Sequence, residues 1–126
     1  MLNRNLEAGR TRRPAPRNMA KPAAPCHIAA KLAAAHYEVP LAQLRTRRRG
    51  SQQSTRARHV AIYLAHVAFG LKLADVGDAF RRDRATAGYA CARIEDARDD
   101  PAFDAALTGL ETAARLMLEF EREKAA

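Results

Sequence analysis

The chain has no tryptophan, only three tyrosines and four phenylalanines, and only two cysteines in 126 residues. Cys26 and Cys91 stand far apart, so they give neither a metal-ligand spacing nor a disulfide framework. They read as reduced, small core residues of a cytoplasmic protein. No apolar run approaches the roughly 18 residues that a membrane span needs. The N-terminus is basic but lacks an apolar signal core, which excludes a secretory signal. The four histidines, His27, His36, His59 and His66, have no ligand-like companions, so no metal is expected. Asp and His are scattered without a nucleophile–base pairing, and an enzyme finds no support. No strand pattern and no internal repeat is present.

What is present is alanine and positive charge. Abundant alanine favours helices and close helix packing. The length allows one modest domain with a real core. The net charge is +8, which points to a polyanionic partner. Residues 1–25 hold six Lys/Arg against one acid, and residues 26–60 hold seven against one. Residues 95–126 reverse this, with nine acids against four bases.

The pattern predicts an all-α fold, a small helical bundle containing a helix-turn-helix. Residues 1–25 carry Pro14, Pro16, Pro22 and Pro25 and are expected to form a disordered basic arm. The domain proper is expected over residues 26–124. Ile28, Leu32 and Ala35 or His36 recur at helical spacing between Cys26 and Glu38. Pro40 opens a short helix to Arg45, and a polar loop follows over 46–53. Ser54 or Thr55 caps the next helix, which runs to Phe69 with Val60, Ile62 or Tyr63, Leu64, Val67 and Ala68 as its apolar stripe. Gly70 stops it. A short helix then presents Leu73, Val76, Ala79 and Phe80 to the core. Asp83 caps another by accepting from the Ala85 or Thr86 amide. That helix buries Ala87, Ala90 or Cys91, and Ile94. Pro101 begins the last helix, with Phe103, Leu107, Leu110, Ala114, Leu116, Met117 and Phe120 as apolar positions.

The segment GLKLADVGDAFRRDRATAGYACARI, residues 70–94, therefore reads as two helices joined by a tight turn. A recognition helix exposes its N-terminal residues to the major groove while the rest packs on the core. The core positions leave Arg84, Ala85, Gly88, Tyr89 and Thr86 outward. Arg84 can fork onto guanine O6 and N7, and Ala85 or Thr86 can touch a thymine methyl. Tyr89 can reach a phosphate, and Arg81 and Arg82 in the turn point towards the duplex backbone. A short charged helix after a turn is common in helical bundles, so this pattern alone does not decide. The upstream cluster RTRRRGSQQSTRARH adds to it. Arg45, Arg47, Arg48 and Arg49 crowd like charges within five positions. Arg56 and Arg58, placed in the first turn of a helix, would oppose its dipole. Both arrangements suit phosphate binding better than folding.

Five runs carry a family resemblance: AAHYEVPLAQL (34–44), the basic loop, RARHVAIYLA (56–65), LADVGDAFRRD (73–83) and YACARIE (89–95). From Ile28 to about Leu116 the chain resembles the C-terminal DNA-binding domain of the bacterial replication initiator DnaA. The resemblance implies a helical domain that binds double-stranded DnaA boxes, with the recognition helix in the major groove and a loop arginine in the adjacent minor groove. Arg58 and His59 match an Arg-Gln pair that contacts DNA in the family, and Arg49 best matches the minor-groove arginine. The family signature GGRDHTT is here RRDRAT, one residue shorter. Asp83 and Thr86 are kept, while Arg84 replaces His and Ala85 replaces Thr. These are base-reading positions, so the preferred site is expected to differ. The 126 residues hold no GxxxxGK[ST] loop, so neither a bound nucleotide nor ATPase activity is expected. The expected role is regulation of replication initiation or transcription by a cytoplasmic, nucleoid-associated protein without cofactor. The alternative is an interaction module, in which Leu107, Leu110, Met117 and Phe120 of the acidic last helix form a homodimer or dock a protein partner.

Overall fold

The structure, a computed structural model, describes residues 22–47 and 50–125. Among these residues five α-helices follow one another: α1 (Ala23–Tyr37), α2 (Gln52–Tyr63), α3 (Leu73–Ala79), α4 (Arg84–Ala97) and α5 (Pro101–Ala125). A short 3₁₀ turn, Leu41–Leu44, lies between α1 and α2. No strand occurs among the described residues. The expected all-α bundle with a helix-turn-helix is what forms. Most of the expected arm, residues 1–21, lies outside the described residues. Its last residues, Ala23–Pro25, are the first turn of α1, so that helix starts three residues earlier than expected.

The core is built from small residues, which lets the helices approach closely. Ala29, Ala30 and Ala33 of α1 and Ala57 and Ala61 of α2 are fully buried, and these two helices make the most extensive contact in the fold. Leu44, Ile62, Leu64, Phe80, Ile94 and Leu107 fill the larger spaces between them. Cys26 lies in this core and Cys91 is half-buried; both are free, and burial pushes each thiol up to about 11.

Helix ends explain the path of the chain. At the end of α1 the amide of Glu38 donates to the Ala35 carbonyl and that of Val39 to the Ala34 carbonyl, with Glu38 left-handed at φ 56°. This pair of hydrogen bonds closes the helix and reverses the chain. The N-cap of α2 is Ser51, whose hydroxyl accepts from the Ser54 amide at 3.0 Å, rather than Ser54 or Thr55. Ser54 is instead fully buried against that cap, donating its hydroxyl to the Ser51 carbonyl. Arg56 and Arg58 therefore stand in the second turn of α2 and do not face the first-turn amides. Beyond Tyr63 the helix continues as a wider π-helical turn, Leu64–Ala68, and Gly70 follows at φ 69°. The extra residue rotates Val67 off the core, where it is 42% exposed, although its spacing placed it in the stripe. His66 Nδ1 closes this turn against the Leu71 carbonyl at 2.7 Å.

Helix α5 is tied to the body by one arginine. Arg98, just past α4, bonds Asp104, Thr108 and Glu111 of α5 and the Tyr63 hydroxyl of α2. Tyr63 in turn donates to Glu95 of α4 at 2.8 Å. These partners raise the Arg98 pKa, Asp104 most, and account for a buried Glu111. The buried face of α5 is Leu107, Glu111, Ala114 and Leu118. Leu116 and Phe120, expected inside, are 59% and 60% exposed. The choice among neighbouring apolar residues follows from where α1 meets α5, and Leu118 lies one turn above Ala114 on that side. Of the four residues named for a partner-docking face, Leu107 is buried in the core and Leu110 and Met117 are half-buried. Only Phe120 is free for that role.

Candidate nucleic-acid interface

Helices α3 and α4 and the turn between them form the helix-turn-helix. Helix α3 ends as α1 does. The Arg81 amide donates to the Asp78 carbonyl at 3.2 Å and the Arg82 amide to the Gly77 carbonyl at 2.8 Å, with Arg81 left-handed at φ 60°. The turn is tight because residue 77 has no side chain: a Cβ there would lie 2.6 Å from the Arg82 carbonyl oxygen. Asp83 then caps α4, accepting from the Thr86 amide at 2.7 Å. That amide, and secondarily the Thr86 hydroxyl, hold the Asp83 carboxyl below its usual range. Its negative charge is thus committed to the helix start.

The buried side of α4 is Ala87, Ala90 and Ile94, as its spacing predicted. Arg84, Ala85, Thr86 and Tyr89 are exposed on its other side. Gly88, expected outward, is half-buried; a Cβ there would touch Leu73 of α3 at 3.7 Å. The exposed face continues to Arg93, one turn beyond Tyr89. Sequence reasoning passed over Arg93, although its i+4 spacing from Tyr89 marks it.

Helix α2 supplies the adjoining surface. His59 meets Tyr89 edge to face, with ring centroids 6.2 Å apart. Burial pushes the His59 pKa down to about 4, and Arg58, Arg56, Arg93 and Arg82 reinforce the shift in that order. Four arginines from α2, the turn and α4 therefore bear on one imidazole, which is neutral at physiological pH. Arg56 lies over the Phe103 ring at 5.1 Å. Arg58 is only 8% exposed, and its Nη1 has no hydrogen-bond partner. Burial, then the charge of Arg82, pushes its pKa down.

The basic loop meets this surface through Arg82. The Arg82 guanidinium donates to the Phe80, Arg81 and Thr46 carbonyls at 3.0–3.2 Å. Arg82 is thus a clamp between loop and turn, while Arg81 and Arg47 stay exposed. Arg45 leaves the loop and lies over Phe80 at 5.9 Å. Arg48 and Arg49, the expected phosphate and minor-groove contacts, lie outside the described residues.

A family model, the bacterial dnaA protein helix-turn-helix, matches residues 28–94, more than half of the chain. The chain belongs to this family. The match runs from the first turns of α1 to the last buried residue of α4, so it takes in the basic loop and both helices of the motif. Membership in this DnaA family makes the chain a DNA-binding helix-turn-helix domain. No described helix is long and apolar enough to cross a membrane. Helix α5 lies beyond the matched region.

Proposed function

We propose that the domain reads double-stranded DNA sequence-specifically at sites related to the DnaA box. The N-terminal half of α4 would enter the major groove, with Arg84, Ala85, Thr86 and Tyr89 at base edges and sugar-phosphate. Arg47, Arg56, Arg58, Arg81 and Arg93 would line the flanking backbone, joined by Arg48 and Arg49 of the loop. Arg82 and Asp83 would hold loop and helix start in register, and His59 would support Tyr89. Occupancy of such sites would regulate replication initiation or transcription in the nucleoid, with no nucleotide chemistry in these residues.

The Arg58 guanidinium carries this reading. A cation nearly removed from water, with an unpartnered Nη1 and the like charge of Arg82 acting on it, is costly in the free protein. Phosphate beside it supplies the missing countercharge. The experiment is selection of bound sequences from random duplex DNA, followed by affinity measurements on the winning site and a scrambled one. A defined motif with a large affinity ratio is expected. Equal affinity for both duplexes would reduce the function to non-specific binding.

A further inference from the structure

Among the described residues four large apolar side chains are exposed, and two of them, Leu116 and Phe120, lie one turn apart on α5. Both belong to a stripe that the fold leaves uncovered: Ala102, Ala106, Gly109, Ala113, Leu116 and Phe120. The spacing alternates four and three residues throughout, the seam that pairs one helix with another. The core-facing side of α5, Leu107 to Leu118, is a separate stripe about 150° around the helix. Five of the six seam residues are exposed and Ala113 is half-buried.

The seam is also tapered and symmetric. Its N-terminal half is alanine and glycine, and its C-terminal half ends in leucine and phenylalanine. About a centre at residue 111, Phe120 mirrors Ala102, Leu116 mirrors Ala106, and Ala113 mirrors Gly109. Two antiparallel copies therefore set a large residue against a small one in every outer layer, at a constant distance between axes. Parallel copies would set phenylalanine on phenylalanine at one end and glycine on glycine near the middle, and the helices would splay.

We propose that α5 is a homodimerisation helix, and that a second copy of this chain covers the seam in antiparallel register. The evidence for a second copy over an unrelated partner is this self-complementarity, since a two-fold contact requires one patch to fit itself. The seam from Ala102 to Phe120 runs about 27 Å at 1.5 Å per residue. In the same register Arg122 of one copy comes level with Asp100 of the other, and Lys124 lies near Asp99. The proposal does not depend on which DNA site the helix-turn-helix prefers.

Sedimentation equilibrium of the whole chain, without DNA, tests it. Wild type is expected to show a reversible monomer–dimer equilibrium. Gly109→Glu should weaken it by about tenfold or more. A Cβ at Gly109 meets nothing within 4 Å, so that variant keeps its monomer fold, and unchanged melting will verify this. Register is read by crosslinking in a Cys91→Ser background. Gly109→Cys mixed with Ala113→Cys should form a disulfide-linked dimer, and neither alone should do so efficiently. A chain that stays monomeric throughout overturns the proposal. So does a dimer insensitive to Gly109→Glu, or one whose cysteine variants link only like with like.

Discussion

The Arg82 guanidinium donates to the Thr46 carbonyl at 3.0 Å, joining the turn of the helix-turn-helix to the basic loop across 36 residues of sequence. The two parts of the proposed DNA-binding surface are thus joined on this side. Arg82→Ala removes three bonds from a charged donor and should cost about 1–3 kcal/mol. Thermal melting checks this. Arg82→Lys should not restore stability, because one ammonium cannot span carbonyls on both segments in the guanidinium's planar geometry. Full rescue by lysine would show that only charge matters there.

Arg58 should trade stability for affinity. Arg58→Met fills the same space without a buried, unpaired charge, so the free protein should gain about 1 kcal/mol or more. DNA affinity should fall in the same variant by about tenfold or more. Melting and fluorescence titration with duplex read the two effects separately. Lower stability together with unchanged affinity would remove Arg58 from the interface.

The turn makes a pair of opposite predictions. Gly77→Ala should destabilise by about 1–3 kcal/mol, because the new methyl meets the Arg82 carbonyl oxygen in the backbone. Arg81→Gly should stabilise by about 0.5–1 kcal/mol, since it relieves a left-handed non-glycine residue. Denaturant midpoints of both variants measure this. If both shift in the same direction, the turn geometry described above is wrong.

His59 gives the free protein a pH signature. Its folded pKa, about 4, lies below the ordinary histidine value of 6.5. Between these values the unfolded chain holds the extra proton, so stability rises with pH through that window. Melting temperature should fall as pH drops from about 6.5 towards 4, beyond the loss due to carboxylates. His59→Gln should remove the histidine component, leaving a shallower curve.

Specificity is tested at Arg84 and salt dependence at the loop. Arg84→Ala should cost about 1–3 kcal/mol on the best site and relax one base position, a guanine. Replacing Arg47, Arg48 and Arg49 together with alanine should weaken binding more evenly, with its largest loss on sites whose minor groove is narrow and A·T-rich. It should also flatten a log–log salt slope that is near −4 to −5 for about five phosphate contacts. A selected motif that survives Arg84→Ala unchanged would argue against α4 as the reading helix.

Helix α4, the proposed reading helix, was the most legible part of the sequence. Asp83 and the Ala87, Ala90 and Ile94 spacing fix both its start and its inner face, and nothing long-range competes with them. The start of α2 was harder to see, because Ser51, Ser54 and Thr55 can each cap and only burial of Ser54 decides. The face of α5 was harder still. It carries two apolar stripes, and sequence periodicity does not say which one meets α1. Among the site residues, the exposure of Arg84, Ala85, Thr86 and Tyr89 followed from spacing. That Arg82 clamps carbonyls and that Arg58 is buried depends on tertiary neighbours far along the chain.

Most of the charged side chains about helix α4 oppose its dipole; Asp83 at its amino end and Arg98 at its carboxyl end are the exceptions. Arg81, Arg82 and Arg84 stand at its amino end, and Glu95, Asp96, Asp99 and Asp100 at or just past its carboxyl end, about 20 Å away. The opposing charges offset part of what Asp83 and Arg98 contribute to the helix, yet they give the molecule an orientation in the field of a polyanion. On the proposed function, a duplex would attract one end and repel the other, turning the protein amino end first before contact. Encounters that begin the wrong way round are shortened, and the association rate gains at low ionic strength more than the dissociation rate changes.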